Sequence, residues 1–195
     1  MMASMKRIFL ALFLAAALAS SVLADRTPRS GALLARGAAR QVGVTTLYDP
    51  SYVRLGYPNG DVPMERGVCA DVVVRAFRTL GVDLQVEVHQ DMKKAFSAYP
   101  RNWGLRSPDR NIDHRRVPNL MKYFDRKGKS LSREGAYEPG DIVAWRLPQG
   151  LYHIGMMAEE RVPGTDRFFV IHNIGAGTRR EDILHEFEII GHYRW

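Results

Sequence analysis

The spacing of apolar residues along the chain predicts helices first and strands later. The clearest helical pattern is an apolar face that comprises Cys69, Val72, Val73, Ala76, Phe77 and Leu80. Gly81 is expected to end this helix, because glycine readily adopts the backbone conformation that follows a last helical turn. Further helices are predicted over residues 31–42, 88–99 and 117–127. A helix with so regular an apolar face is expected to be buried within the fold.

After Tyr137 the pattern changes to short runs of β-branched and aromatic residues that are separated by turn-forming residues. Strands are predicted over residues 142–145, 152–158, 168–172 and 187–193. Helices that precede a group of antiparallel strands are typical of the α+β class. We therefore expect the Cys69 helix to pack on a small antiparallel sheet, with residues 82–136 as a helical insert between that helix and the sheet.

Residues 1–24 differ from the rest of the chain. Lys6 and Arg7 form a short basic region, and residues 8–19 are almost wholly Leu, Ala, Phe and Ile. This order is typical of a secretory signal peptide, and Ala24 stands where a signal peptidase would cut. An uncleaved inner-membrane anchor is the alternative, although the apolar run is short for a membrane span. We expect residues 25–195 to be periplasmic or secreted, as one domain.

The composition is that of an ordinary folded protein, with 46% apolar and 25% charged residues. The formal charge of +7 falls to +5 when the two cations Lys6 and Arg7 leave with the signal peptide. A basic exported domain suits anionic partners such as cell-wall polymers, although a dispersed positive surface needs no partner. Export and the lack of a basic-aromatic motif argue against nucleic acid as a partner. No stable membrane insertion is expected after signal cleavage.

Cys69 is the single cysteine of the chain, and it stands where a loop rich in turn-forming residues meets the predicted helix. The N–H groups and the dipole of a helix N-terminus favour a thiolate, so a cysteine there is a candidate nucleophile. Exported proteins generally use cysteines in pairs, and an unpaired one indicates a reactive thiol or an intermolecular disulfide. The alternative is an inert buried cysteine, because Cys69 belongs to the apolar face of its helix.

A cysteine nucleophile needs a base, and the base needs a group that orients it. Of the six histidines, His153 stands at the start of one predicted strand and His172 at the end of the next. Neighbouring antiparallel strands bring these two ends together, so His172, or Asn173 in its place, can orient His153. Each histidine alone fits a structural role at a strand end. The combination with Cys69 favours catalysis.

Four short features occur in a characteristic order: a cysteine at a helix start, then Pro-Gly-Asp-Ile-Val, His-Ile-Gly-Met and Val-Ile-His. In these features residues 64–174 resemble the NlpC-like branch of papain-fold cysteine peptidases. The resemblance implies a papain-like fold, with Cys69 as nucleophile, His153 as general base and His172 as the residue that orients this base. It also implies a substrate with a peptide or amide bond, from the peptides of bacterial cell walls.

Longer motifs are spread over the chain, namely Gly-Val-Cys-x-Asp-Val-Val-x-Arg-Ala, Ile-Asp-His-Arg-Arg-Val-Pro-Asn-Leu, Pro-Gly-Asp-Ile-Val-x-Trp and the C-terminal Gly-His-Tyr-Arg. Together they resemble the YijF-like family of exported bacterial proteins of unknown function. This resemblance covers nearly the whole chain after the signal peptide.

The predicted insert contains two neighbouring arginines, Arg115 and Arg116, close to an acidic residue. They can bind a substrate carboxylate, since a guanidinium donates two parallel hydrogen bonds to such a group. Alternatively, one of them forms an internal ion pair with Asp113 that holds the insert in place. The further candidate substrate-binding residues are Tyr57, Asp71 and Asn173.

We therefore predict an exported cysteine hydrolase, a peptidase or amidase, that acts through Cys69, His153 and His172. One alternative is a non-catalytic module that binds cell-wall peptides on the same fold, and another is a thiol acyltransferase that uses the same residues. A metal site built from Asp113, His114 and the two candidate catalytic histidines matches no standard zinc spacing. No metal and no cofactor is expected.

Overall fold

The structure is a computed structural model that describes residues 28–195, so the predicted signal peptide and its cleavage site lie outside the described residues. Within this range the α-helices are α1 (Pro28–Ala39), α2 (Cys69–Arg78), α3 (Leu84–Ala95) and α4 (Val117–Arg126). Short 3-10 turns span Phe96–Ala98 and Asp113–Arg115. Residues Gly31–Trp195 form one compact unit. A membrane-spanning length of apolar helix is not found in the described part of the chain.

Two sets of strands accompany the helices. The short strands β1 (Leu47–Tyr48) and β2 (Arg66–Gly67) form a parallel pair directly before α2. The main sheet comprises β3 (Ile142–Arg146), β4 (Tyr152–Arg161), β5 (Phe168–Asn173), β6 (Thr178–Glu181) and β7 (Glu188–Tyr193). Its five strands are antiparallel and lie in the order β6-β5-β4-β3-β7. The predicted α+β class is confirmed.

The ends of most elements follow from local sequence. Helix α2 begins at Cys69, as predicted, and Gly81 follows its end with a φ of +71° that favours glycine. The helix predicted over residues 88–99 begins earlier, at Leu84, because the Asp83 side chain accepts the Gln85 N–H at 2.9 Å and caps it. The sequence pattern does not predict β6, since its Thr-Arg-Arg-Glu segment lacks apolar alternation.

Each face of the main sheet has its own apolar cluster, because side chains alternate along a strand. On the face that we call the helix face, α2 packs against β4 and β5, and the apolar cluster there contains Ile142, Ala144, Ile154, Met156 and Ile171. On the opposite face, which we call the outer face, a smaller cluster comprises Val143, Trp145, Met157, Val170, Ile183 and Leu184. The position of a residue along its strand therefore decides which of two surroundings its side chain enters.

Residues 82–136, which we predict as an insert, contribute to the same apolar core as α2. Leu84 of α3 and Leu120 of α4 are fully buried in the cluster on the helix face. Phe77 of α2 stacks against Phe124 of α4, with 5.7 Å between the ring centroids. The segment is thus integral to the fold and holds the side of α2 that faces away from the sheet.

Replacement of Asp83 by alanine should destabilise the protein by about 1–2 kcal/mol, because α3 loses its N-cap. The same carboxylate accepts the backbone N–H of Asn59 at 2.7 Å, so a loop contact is lost as well. Urea denaturation of the two proteins measures the difference. Lys93→Ala, at an exposed position of the same helix, is the control and should change stability by less than about 0.5 kcal/mol. Equal stabilities of wild type and Asp83→Ala would contradict the capping role.

Candidate functional site

Cys69 lies where the start of α2 meets the main sheet. The residue is buried, with 5% of its surface exposed, and the preceding Val68 has the extended backbone that leads into the helix. Three backbone groups are close enough to lower the pKa of the Cys69 thiol, those of Cys69, Ala70 and Ile154. Two belong to the first turn of α2 and the third belongs to β4. The thiol therefore lies between the helix start and the sheet.

The surroundings of Cys69 favour the protonated thiol. Burial, with a smaller contribution from the Asp71 carboxylate, raises the pKa of this thiol from 9.0 to about 11. The backbone N–H groups act in the opposite direction, because they stabilise the thiolate. A nucleophilic role for Cys69 therefore requires a base that removes the proton as the sulfur attacks.

Alkylation of Cys69 by iodoacetamide is expected to be slow at neutral pH and to rise until the pH reaches about 11. The thiolate is the reactive form, so raising the pKa by about two units leaves about 100-fold less of it at pH 7 than an ordinary cysteine has. Mass spectrometry follows the rate, with a short cysteine peptide as reference and Cys69→Ala as the blank. A rate that levels off near pH 7 would contradict the raised pKa.

A buried ion pair fixes the start of α2. Asp71 accepts the Val68 N–H at 2.7 Å, and its two carboxylate oxygens accept Nε and Nη2 of Arg115 at 2.8 and 2.9 Å. Arg115 also donates to the backbone carbonyls of Asp49 and Ser51, both at 3.3 Å. Only 2% of the Arg115 side chain and 4% of the Asp71 side chain are exposed. The pair therefore joins the segment before α4 and the loop after β1 to the helix start.

Asn173, at the end of β5, holds the segment that precedes Cys69. Its Nδ2 donates to the Gly67 carbonyl at 3.0 Å, and the residue is fully buried. A side chain at Gly67 would be crowded, since an added Cβ would lie 3.0 Å from an Asp71 carboxylate oxygen. Asn173 and Asp71 thus both position the backbone that presents Cys69.

The two candidate catalytic histidines are in direct contact. Nε2 of His153 lies 3.0 Å from Nδ1 of His172, and Nε2 of His172 lies 2.9 Å from Oε2 of Glu181. Both imidazoles are buried, and the Trp145 ring stacks on the His153 ring at 5.7 Å between centroids. The predicted contact between His153 and His172 is therefore present, and it continues to a carboxylate that the sequence analysis did not single out.

The Cys69 sulfur reaches the backbone beside His153 without a hydrogen bond to the His153 ring. On β4 the backbone of Ile154, the residue that follows His153, is close enough to lower the pKa of the thiol. Ile154 faces α2, whereas the His153 ring lies on the outer face beside Trp145, its partner in strand register. Among the described contacts of the His153 ring, the hydrogen bond at Nε2 is shared with His172, and Nδ1 has no described hydrogen-bond partner.

Both histidines are neutral at physiological pH. Burial, with a smaller contribution from the neighbouring His172, lowers the pKa of His153 to about 3. Burial also lowers the pKa of His172, although the Glu181 carboxylate opposes this effect. A neutral imidazole has one nitrogen that can accept a proton, but a pKa this low also makes the ring a weak base for a thiol.

A cavity of about 580 Å³ opens beside Cys69. Its wall combines aromatic, apolar and cationic side chains, among them Tyr48, Tyr52, Trp103, Arg116, Leu151 and Tyr152. The Arg116 guanidinium lies 4.1 Å from the centroid of the Trp103 ring, and its Nη1 lies 3.3 Å from an Asp113 carboxylate oxygen. The volume and the mixed wall suit an organic molecule that has both apolar and anionic groups.

The predicted substrate-binding residues separate into different surroundings. Arg116 lines the cavity and also forms the internal ion pair that was the alternative for this region. Arg115 lines the cavity too, although its guanidinium is paired with Asp71. Tyr57 lies outside the cavity lining, with its ring 5.4 Å from the guanidinium carbon of Arg110. Arg116 is therefore the arginine with a donor to spare for a ligand.

Three residues of this region were not predicted from the sequence. Glu181 lies on an edge strand without an apolar pattern, so nothing local marks it. Tyr152 precedes His153 on β4 and lines the cavity. Because neighbouring side chains of a strand point to opposite faces, strand alternation predicts that Tyr152 and His153 lie on different faces of the sheet. Trp103 stands as an isolated aromatic residue in a polar loop, where an exposed ring is a sign of binding.

The residues considered for a metal site do not come together. His114 is buried near Asp71 and Arg115, and burial lowers its pKa to about 4. His153 and His172 lie on the outer face of the sheet. Over residues 28–195 no group of three or more His, Cys, Asp or Glu side chains is arranged to hold a metal ion.

Comparison with known proteins gives a family but no activity. The model of a domain of unknown function, DUF1287, matches residues 35–195 of the chain. The uncharacterised protein YijF of Escherichia coli (strain K12) is 53% identical over 166 residues, which cover 83% of this chain and 80% of YijF. No solved structure matches the chain, so no structural relative supports a papain-like or NlpC-like fold.

Proposed function

The chain belongs to the DUF1287 family, and we propose that it is an exported cysteine hydrolase that cleaves a peptide or amide bond in bacterial cell-wall material. Export is inferred from the signal-peptide pattern of residues 1–24. The substrate class is inferred from the resemblance of the cysteine and histidine motifs to NlpC-like peptidases. Cys69 is the proposed nucleophile and His153 the proposed general base, with His172 as its positioning residue.

The observation that carries the proposal is the position of the Cys69 sulfur. It lies at a helix N-terminus, beside a cavity of about 580 Å³, and close enough to the backbone of Ile154, the residue that follows His153, for that backbone to lower the pKa of the thiol. In hydrolases without substrate, the contact between nucleophile and base is often longer than a hydrogen bond and shortens in the Michaelis complex. The proposal requires Nδ1 of His153, whose ring lies on the outer face of the sheet, to reach the sulfur in that complex.

The proposed reaction has two stages. The thiol proton passes to Nδ1 of His153 while the sulfur attacks the substrate carbonyl carbon, and the protonated imidazole then gives this proton to the leaving amine. The resulting thioester is attacked by water, whose proton passes through His153 to the departing sulfur. The backbone N–H of Cys69 lies at the helix start, where it can donate to the developing oxyanion.

The first experiment incubates the exported chain, residues 25–195, with purified muropeptides and analyses the products by mass spectrometry. Hydrolysis predicts two fragments whose masses sum to that of the substrate plus one water. An acyltransferase would instead join one fragment to an added amine, and the product mass distinguishes the two. The absence of any product over a full set of cell-wall peptides would contradict the proposed activity.

A second candidate is a non-catalytic module that binds cell-wall peptides. The observations that favour it are the burial of Cys69, the raised pKa of its thiol and the cavity wall that carries Arg116 on Trp103. Calorimetric titration with the same muropeptides, followed by product analysis, separates the candidates. Binding without turnover would favour the module over the hydrolase.

A further inference from the structure

We propose that Glu181 is a positioning residue that sets the tautomers of both buried histidines and thereby keeps Nδ1 of His153 unprotonated. In the proposed function this nitrogen removes the thiol proton of Cys69, and the catalytic role of Glu181 rests on that function. Glu181 is the last residue of β6, at the edge of the main sheet.

The carboxylate of Glu181 decides the direction of the first hydrogen bond, because a carboxylate only accepts. Its Oε2 lies 2.9 Å from Nε2 of His172, so this nitrogen carries the hydrogen. Burial lowers the pKa of His172, which keeps the ring neutral with a single ring hydrogen. Nδ1 of His172 is then an acceptor.

The direction of the second hydrogen bond follows from the first. Nδ1 of His172 accepts, and it lies 3.0 Å from Nε2 of His153, so Nε2 of His153 must donate. His153 is also neutral, since burial lowers its pKa to about 3. Its single ring hydrogen is on Nε2, which leaves Nδ1 with a free lone pair.

Without a carboxylate, the histidine pair alone does not select this state. The opposite order satisfies the same hydrogen bond, with Nδ1 of His172 donating to Nε2 of His153. In that order Nδ1 of His153 carries the hydrogen and has no lone pair for the thiol proton. Glu181 distinguishes the two orders, because only the first one presents a donor to it.

The groups around His153, His172 and Glu181 support a fixed set of tautomers. Trp145 covers the His153 ring and limits exchange with water. Glu181 stays partly hydrated, with 38% of its side chain exposed, and lines a cavity of about 310 Å³ on the outer face together with His172. The nearest basic residue in strand register with His172 is Arg179, which is exposed. The Glu181 carboxylate is therefore the charged group that contacts the pair of histidines.

Nitrogen NMR of the exported chain tests the assignment, since each imidazole tautomer has its own pair of ring-nitrogen shifts. In wild type both rings should be Nε2–H tautomers. In Glu181→Ala the second tautomer should appear in both rings, and kcat for muropeptide cleavage should fall about 10- to 100-fold with KM unchanged. In Glu181→Gln the fall in kcat should be smaller, because the side-chain oxygen can still accept the hydrogen bond. Glu186→Gln, which changes a carboxylate that lines the same cavity, should match wild type.

Single Nε2–H tautomers in both rings of a folded Glu181→Ala variant would overturn the role of Glu181. Thermal unfolding shows whether this variant folds, and if it does not, the spectra of Glu181→Gln decide the question. The glutamine amide can accept from or donate to Nε2 of His172, so the second tautomer should appear to a smaller extent, and its complete absence would overturn the role. The NMR result needs no substrate. A tautomer change in a protein that cleaves no muropeptide would uphold the positioning role and count against the hydrolase function alone.

Discussion

Replacement of Cys69 by alanine is expected to lower the rate of muropeptide cleavage by at least about 1,000-fold, because the thioester step loses its nucleophile. The fold should persist, since alanine is small, apolar and a strong helix former at a buried position of α2. Mass spectrometry measures the initial rate, and circular dichroism with a thermal scan measures the fold.

Cys69→Ser is the matched control for size and polarity. Its hydroxyl fills the same space between α2 and β4 but is a much weaker nucleophile in this setting, so its rate should also fall steeply. Retention of the wild-type rate by the folded alanine variant would remove Cys69 from the mechanism. Loss of folding in alanine but not in serine would transfer the test to the serine variant.

Replacement of Asp71 by alanine should destabilise the protein by about 3–5 kcal/mol, because Arg115 is left as a buried charge without its partner. The Val68 N–H loses its acceptor as well, so the start of α2 loosens where Cys69 is presented. Urea denaturation gives the change in the free energy of unfolding. Cleavage by any fraction that remains folded should fall, since the thiol is no longer held at the sheet.

An exposed ion pair provides the control for this prediction. Arg36 and Glu159 have side chains that are 60% and 38% exposed, and Glu159→Ala should cost less than about 1 kcal/mol. Both substitutions remove the carboxylate partner of an arginine, so the difference between their costs measures the effect of burial. A cost for Asp71→Ala as small as that for Glu159→Ala would show that the buried pair is not what fixes the helix start.

The secondary structure was largely predictable because it depends on local sequence. The apolar face of α2, the glycine that follows it and the run of short strands after Tyr137 all fix their elements within a few residues. The failures are local too. Strand β6 has a charged edge sequence, and β1 and β2 are each two residues long, so no periodic pattern marks them.

The candidate site was predictable in part. His153 and His172 come into contact because the start of β4 and the end of β5 are neighbours in an antiparallel pair, which the order of the elements implies. The partner of Arg115 was not predictable, since Asp71 is 44 residues away and competes with the nearer Asp113. Separation along the sequence therefore does not predict which carboxylate pairs with an arginine in the folded chain.

Local sequence patterns specify the elements, the position of Cys69 at a helix start and the chain order of the two histidines. The packing of distant segments sets which faces these side chains occupy: Cys69 lies on the helix face, whereas the His153 ring lies on the outer face beside Trp145. Hydrophobic periodicity is a property of neighbouring residues. Strand register and the packing of α2 on the sheet depend on contacts between distant segments, and those contacts alone brought Glu181 to the histidines.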